Sequence, residues 1–214
     1  MDRAISLSLA DEGGANPAGY EPNISTLTVD LILQRRESAI FAQVDISSSE
    51  EVEVAFDRSI AKFGWIDILI SCAGYWAPFR KFDEEDDEVR SKIVVVNFLK
   101  QDVDSKWGSR GRIINISSCA GHFGFPGEVA YSSTKASIDH MTHAGALEYA
   151  NDYININCIG PGVVATGEII GLMKRATPWP QMGTAEDIAG AILYFCLPQS
   201  HVDGGMTIGV ASSQ

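Results

Sequence analysis

Apolar residues recur along this chain with two alternating periods. Short consecutive runs, Ala39 to Val44, Ile66 to Ile70, Ile113 to Ile116 and Tyr153 to Ile159, have the length and bounding residues of buried parallel strands. Between them the spacing lengthens to three and four. Val52, Ala55, Phe56, Ile60 and Phe63 make one helical face behind Ser48 and Glu51, which stand at capping-box spacing. Glu128 to Ala150 reads as a long helix, and Ala185, Ile188, Ile192 and Phe195 as the inner face of a last helix capped by Thr184. Nearer the start, Asp2 to Glu12 is an amphipathic helix stopped by Gly13-Gly14, and Thr26 to Arg36 is helical again. Asn16 to Ser25, with two prolines and two asparagines, predicts a loop without a strand. The acidic block Asp83 to Glu88 opens a helix that passes Asn97 and fades by Gln101, carboxylates being favoured at a helix N-terminus.

Strands alternating with helices predict an α/β fold, a Rossmann-type three-layer parallel sheet, with residues 1–214 forming one domain. Composition narrows the partners. A net charge of −12 disfavours nucleic acid and anionic membranes, which would repel the chain on average. Cys72, Cys119, Cys158 and Cys196 lie singly beside apolar segments and read as reduced, buried thiols with no zinc spacing. His140 and His143 share a helix face, but no acidic third ligand accompanies them, so no metal is expected. No apolar run reaches the roughly 20 residues of a membrane span, which points to a soluble, cytoplasmic protein.

The chemistry concentrates in Tyr131-Ser-Ser-Thr-Lys135, with Ser118 upstream in Arg112-Ile-Ile-Asn-Ile-Ser-Ser118. Tyrosine and lysine four apart share a helix face. A phenol is a poor base until a cation approaches, and at ~4 Å with an effective dielectric of ~20 the attraction is about 4 kcal/mol, enough to bring proton transfer within reach of neutral pH. Around this pair stand Asp45 at the end of Ala39-Ile-Phe-Ala-Gln-Val-Asp, then Asp67-Ile-Leu-Ile-Ser-Cys-Ala-Gly74, then Asn97, and downstream Asn157-Cys-Ile-Gly-Pro-Gly162-Val-Val-Ala-Thr166. In order and spacing the set resembles the short-chain dehydrogenase/reductase family, from about Asp2 to Ile192.

The resemblance implies an NAD- or NADP-dependent oxidoreductase that interconverts a carbonyl and an alcohol. Tyr131 would exchange a proton with the substrate oxygen, Ser118 would hydrogen-bond that oxygen, and Lys135 would act on both Tyr131 and the nicotinamide ribose. Asn97 would hold a relay water. Asp45, Ser71, Ala73, Gly74, Pro161, Gly162, Val164 and Thr166 would flank the cofactor, with Tyr131 and Lys135. Trp76, Phe79, Phe123, Phe125 and Trp179 could line a pocket for a small apolar carbonyl or alcohol. Members of the family usually form dimers or tetramers, so a homo-oligomer is open here.

The chain also departs from the pattern. Ser71-Cys72 stands where the family has two asparagines, and the family's first strand with its Gly-rich phosphate turn is missing, the turn being expected before Met1. The second and last strands are reduced or missing and the Asn97 helix is short, as skipped exons would leave them. The alternative is therefore a non-catalytic or truncated member with weak nucleotide binding. One structural expectation follows: with intervening strands lost, Ala39 to Val44 should pair directly with Ile66 to Ile70 and displace Asp45.

Overall fold

A computed structural model describes residues 16–18, 28–35, 37–45, 48–72, 96–124, 126–164 and 183–197. The chain divides into two compact units, Met1–Gly64 with Pro161–Tyr194, and Trp65–Gly160 with Phe195–Gln214.

The first unit contains a parallel strand pair, β1 (Asn16–Ala18) and β2 (Ala39–Phe41), with Asn16 opposite Ala39 and Ala18 opposite Phe41. Helix α1 (Thr28–Gln34) connects them and buries Ile32 against Ala39. The expected loop at Asn16 to Ser25 is thus corrected at its first residues. Pro17 lacks an N–H and is tolerated only where that donor is not required, so the strand carries no apolar run by which to read it. Helix α2 (Ser49–Phe63) begins where the capping spacing placed it, with the Ser48 hydroxyl accepting from the Glu51 N–H at 3.3 Å. The reciprocal bond differs: the Glu51 carboxylate accepts from the Asp45 N–H at 2.8 Å, which pins the end of the β2 segment to the helix start. Gly64 closes α2 in the left-handed region at φ 81°, where a Cβ would be strained.

The second unit is a three-stranded parallel sheet in the order β3 (Ile68–Ser71), β4 (Gly111–Ile116), β5 (Ile154–Ile159). All six residues of β4 are buried, as the middle strand of a covered parallel sheet requires. Direct pairing of Ala39 to Val44 with Ile66 to Ile70 is not observed: β2 pairs with β1, and β3 pairs with β4. β2 takes β1 as its partner instead, while β3 stands at the edge of its own sheet among the described residues, so the pairing that was expected to displace Asp45 is absent.

Helix α3 (Val96–Leu99) is held by Phe98, 1% exposed, which packs with Ile113, Ala146, Ile154 and Ile156. A Cβ at Gly111 would run into the Phe98 ring, so that glycine makes room for it. The Gln101 amide then ties the loop after α3 to both neighbouring strands, donating to the carbonyls of Ile66 and Arg110 at 2.8 Å each. Helix α4 (Val129–Glu148) buries Lys135, Asp139, Thr142, Gly145 and Ala146, a stripe of small or polar residues rather than aliphatic ones. Small residues permit close approach. A Cβ at Gly145 would lie 3.2 Å from Ile156 Cδ1 on β5. Helix α5 (Ala185–Cys196) carries a complete capping box, in which the Asp187 N–H donates to the Thr184 hydroxyl at 3.2 Å while the Thr184 N–H donates to the Asp187 carboxylate at 2.8 Å. The α/β, Rossmann-type parallel architecture read from the sequence is the one observed. The cysteines need one correction: Cys196 is buried, whereas Cys72, Cys119 and Cys158 are only partly so.

Candidate active site

Ser71, Asn115 and Cys158 form one row across β3, β4 and β5, one residue from the carboxyl end of β4 and β5 and at the very end of β3. Open parallel sheets bind ligands outside this edge. The Ser117 N–H prolongs the ladder by donating to the Ile159 carbonyl at 2.8 Å, and the chain then turns at Ser118 into a short 3₁₀ helix, Cys119–Gly121. Ser118 is its N-cap, with the hydroxyl accepting from the Ala120 N–H at 3.2 Å. Among the described residues the Ser118 O–H donates to nothing.

Helix α4 is fastened to β4 by side chains. The Ser117 hydroxyl donates to the Lys135 carbonyl at 3.0 Å, and the Asn115 amide donates to the Thr142 hydroxyl at 2.9 Å. These bonds set the face that carries Tyr131 and Lys135. The Lys135 ammonium lies 5.7 Å from the Tyr131 ring centroid and donates to the Ile116 carbonyl at 2.8 Å. Lys135 is buried, and burial lowers its pKa; Cys72, Cys158 and Asp139 act in the opposite direction. A lone buried ammonium would be costly, so the Ile116 carbonyl and the Asp139 carboxylate offset its lost hydration.

Ser118, Tyr131 and Lys135 therefore lie on adjoining parts of the second unit, and Ser71 ends β3 exposed on the same edge. Asn97 is the second residue of α3. Asp45, Pro161, Gly162 and Val164 belong to the first unit: Asp45 and Gly162 are exposed, Pro161 is buried, and Val164 bridges Gly183. Ala73, Gly74 and Thr166 lie outside the described residues, as do Trp76, Phe79, Phe125 and Trp179, while Phe123 is 66% exposed.

Sequence reasoning passed over Asp139. It is 6% exposed, one turn beyond Lys135, and its Oδ1 accepts the Cys158 S–H at 3.0 Å. Burial and this bond push the Cys158 pKa up to about 12, so the sulfur remains a thiol donor near neutrality. Tyr131, Lys135 and Asp139 continue one stripe at spacing four, which places Asp139 on that face but does not mark it as buried. Among the described residues no group of three metal-ligating side chains occurs.

The family model described as short chain dehydrogenase matches residues 2–174. The chain belongs to the short-chain dehydrogenase family. It is 30% identical to an uncharacterised oxidoreductase of Schizosaccharomyces pombe over 81% of this chain and 77% of that protein. It is 27% identical to the 3-oxoacyl-[acyl-carrier-protein] reductase of Staphylococcus aureus over 96% of this chain and 93% of the reductase. Among solved structures, a dehydrogenase/reductase from Sinorhizobium meliloti superposes with a TM-score of 0.73 at 24% identity, covering 92% of this chain and 83% of that one, a likeness of fold. This short-chain dehydrogenase is thus an oxidoreductase by membership. No helix among its described residues is long and apolar enough to cross a membrane.

Proposed function

We propose that this short-chain dehydrogenase is an NAD- or NADP-dependent enzyme that interconverts a carbonyl and an alcohol by hydride transfer, with Tyr131 as general acid and base. The observation that carries the reading is the Lys135 ammonium, 5.7 Å from the Tyr131 ring on a helix fastened beside Ser118. In reduction, the Tyr131 O–H gives its proton to the substrate oxygen as the carbonyl carbon gains hydride, so the C=O π pair ends as the new O–H bond. Ser118 donates to that oxygen and holds it in place. A nicotinamide, when bound, supplies or accepts the hydride.

The residues fit such a cofactor on the ribose side. Lys135 has three N–H groups, and the Ile116 carbonyl takes one, leaving two for ribose hydroxyls. Asn97 would hold the water through which Lys135 recovers a proton. Asp45, Ser71, Ala73, Gly74, Pro161, Gly162, Val164 and Thr166 are assigned to the rest of the cofactor surface by their place in the family pattern. The reductase and dehydrogenase names of the relatives support a small carbonyl or alcohol substrate. Trp76, Phe79, Phe125 and Trp179, by their places in the sequence beyond strand ends, favour an apolar one, and the reading is of a single cytoplasmic domain able to form homo-oligomers.

Fluorescence titration with NADH and with NADPH tests the cofactor assignment. Saturable binding of at least one, in the roughly micromolar to millimolar range of enzyme ligands, is expected. Absence of binding by both would favour the non-catalytic alternative.

A further inference from the structure

The Ser118 turn packs closely on α4 beside two residues that the reaction does not use. Gly121, its last residue, packs so closely on the helix that an added Cβ would lie 2.5 Å from Asp139 Oδ2 and 3.0 Å from the Lys135 carbonyl carbon. Asp139 Oδ1 is occupied by the Cys158 S–H, but Oδ2 is buried without a hydrogen-bond partner. An unsatisfied buried carboxylate oxygen calls for an explanation. The group that faces it is His122, C-cap of the same turn, whose Nε2 lies 3.7 Å away while the ring is mostly in solvent.

We infer that His122 and Asp139 are a pH-responsive clamp that positions Ser118 against the face of Tyr131 and Lys135. His122 and Ser118 cap opposite ends of one three-residue helix, so a bond at His122 fixes the segment on which Ser118 stands. A neutral imidazole can offer Oδ2 at most an ordinary N–H, from the Nε2–H tautomer, whereas an imidazolium donates to it with charge assistance, the stronger bond. The clamp therefore tightens when the imidazole takes up a proton. Other titratable groups around the carboxylate are Cys158 from β5, Lys135 and His143 on α4, and beyond them His140 on α4 and Cys72 after β3. Burial and the neighbouring His140 lower the pKa of His143, so that imidazole competes poorly for the proton.

This inference rests on the reading of Ser118 as a substrate-binding group, but its first test does not need catalysis. The N–H groups of Gly121, His122 and Phe123 close the turn on the carbonyls of Ser118 and Cys119, so their hydrogen-exchange protection reports its opening. In the intact protein, protection factors at these amides should rise about two- to fivefold between about pH 8 and 5.5, the range that an ion pair with one exposed partner supports. In His122→Asn and in Asp139→Asn they should stay flat. Equal protection at both pH values in the parent, or an unchanged rise in His122→Asn, overturns the clamp whatever the activity. With turnover in hand, His122→Asn should lose the matching low-pH advantage in kcat/KM. Absence of turnover in a parent whose clamp responds would instead reject the reading of Ser118.

Discussion

The Asp139 carboxylate lies 3.7 Å from His122 Nε2 and acts by its charge on Lys135, and that carboxylate is what the sequence hid. Tyr131, Lys135 and Ser118 were legible because their residue types carry chemistry at fixed spacing. Asp139 was not, because periodicity marks charged helical positions as solvent-facing, and nothing in the string says that a glycine turn and a thiol cover this one. Cys158 offers a direct check. Its thiol, with a pKa raised from 9.0 to about 12 chiefly by burial, favours the folded state. That contribution is full below about pH 9 and is lost as the pH rises toward about 12. At about pH 8 iodoacetamide should therefore alkylate Cys158 at least tenfold more slowly in the folded protein than in urea, thiolate being the nucleophile. Mass spectrometry of the tryptic peptide measures this, and equal rates would mean that the thiol is neither buried nor bonded to Asp139.

At the scale of elements, the helices among the described residues were read with more success than the strand pairing; the expected helix at Asp2 to Glu12 and the acidic start at Asp83 to Glu88 lie outside those residues. Caps explain much of it: Ser48 begins α2 and Thr184 begins α5, each by a side chain whose spacing to its partner is written in the sequence. Strand β1 was missed because a three-residue segment with Asn16 and Pro17 has neither β-branched residues nor alternation. Missing it led to the false pairing of β2 with β3, since β2 then had no partner nearer in the chain. The cap at Ser48 is open to measurement. Ser48→Ala should lower unfolding stability by about 1 kcal/mol, and Ser48→Gly by only a few tenths. Urea denaturation of the three proteins reads the difference, and an Ala variant as stable as the parent would show that the Glu51 bond to Asp45 alone secures the start of α2.

For the whole molecule, the parallel α/β architecture was legible from alternating periods, and so was the grouping of Ser71, Ser118, Tyr131 and Lys135 in the second unit. The grouping of the chain into two units was not, because long-range contacts have no local signature. The resemblance that names the family also supplies its mechanism, and the geometry of α4 beside the Ser118 turn is what makes that mechanism physically reasonable in this chain. Tyr131→Phe removes the phenol hydroxyl from this arrangement and leaves Lys135 and its bond to Ile116 in place. The most direct test measures, across a panel of small ketones with NADH and NADPH, the turnover and cofactor affinity of the parent and of Tyr131→Phe. The account predicts that the parent turns over and that the variant binds the same cofactor within about threefold while its kcat falls at least about 100-fold, the scale of a lost general acid. A variant that reduces the same ketone at the parent rate would contradict it.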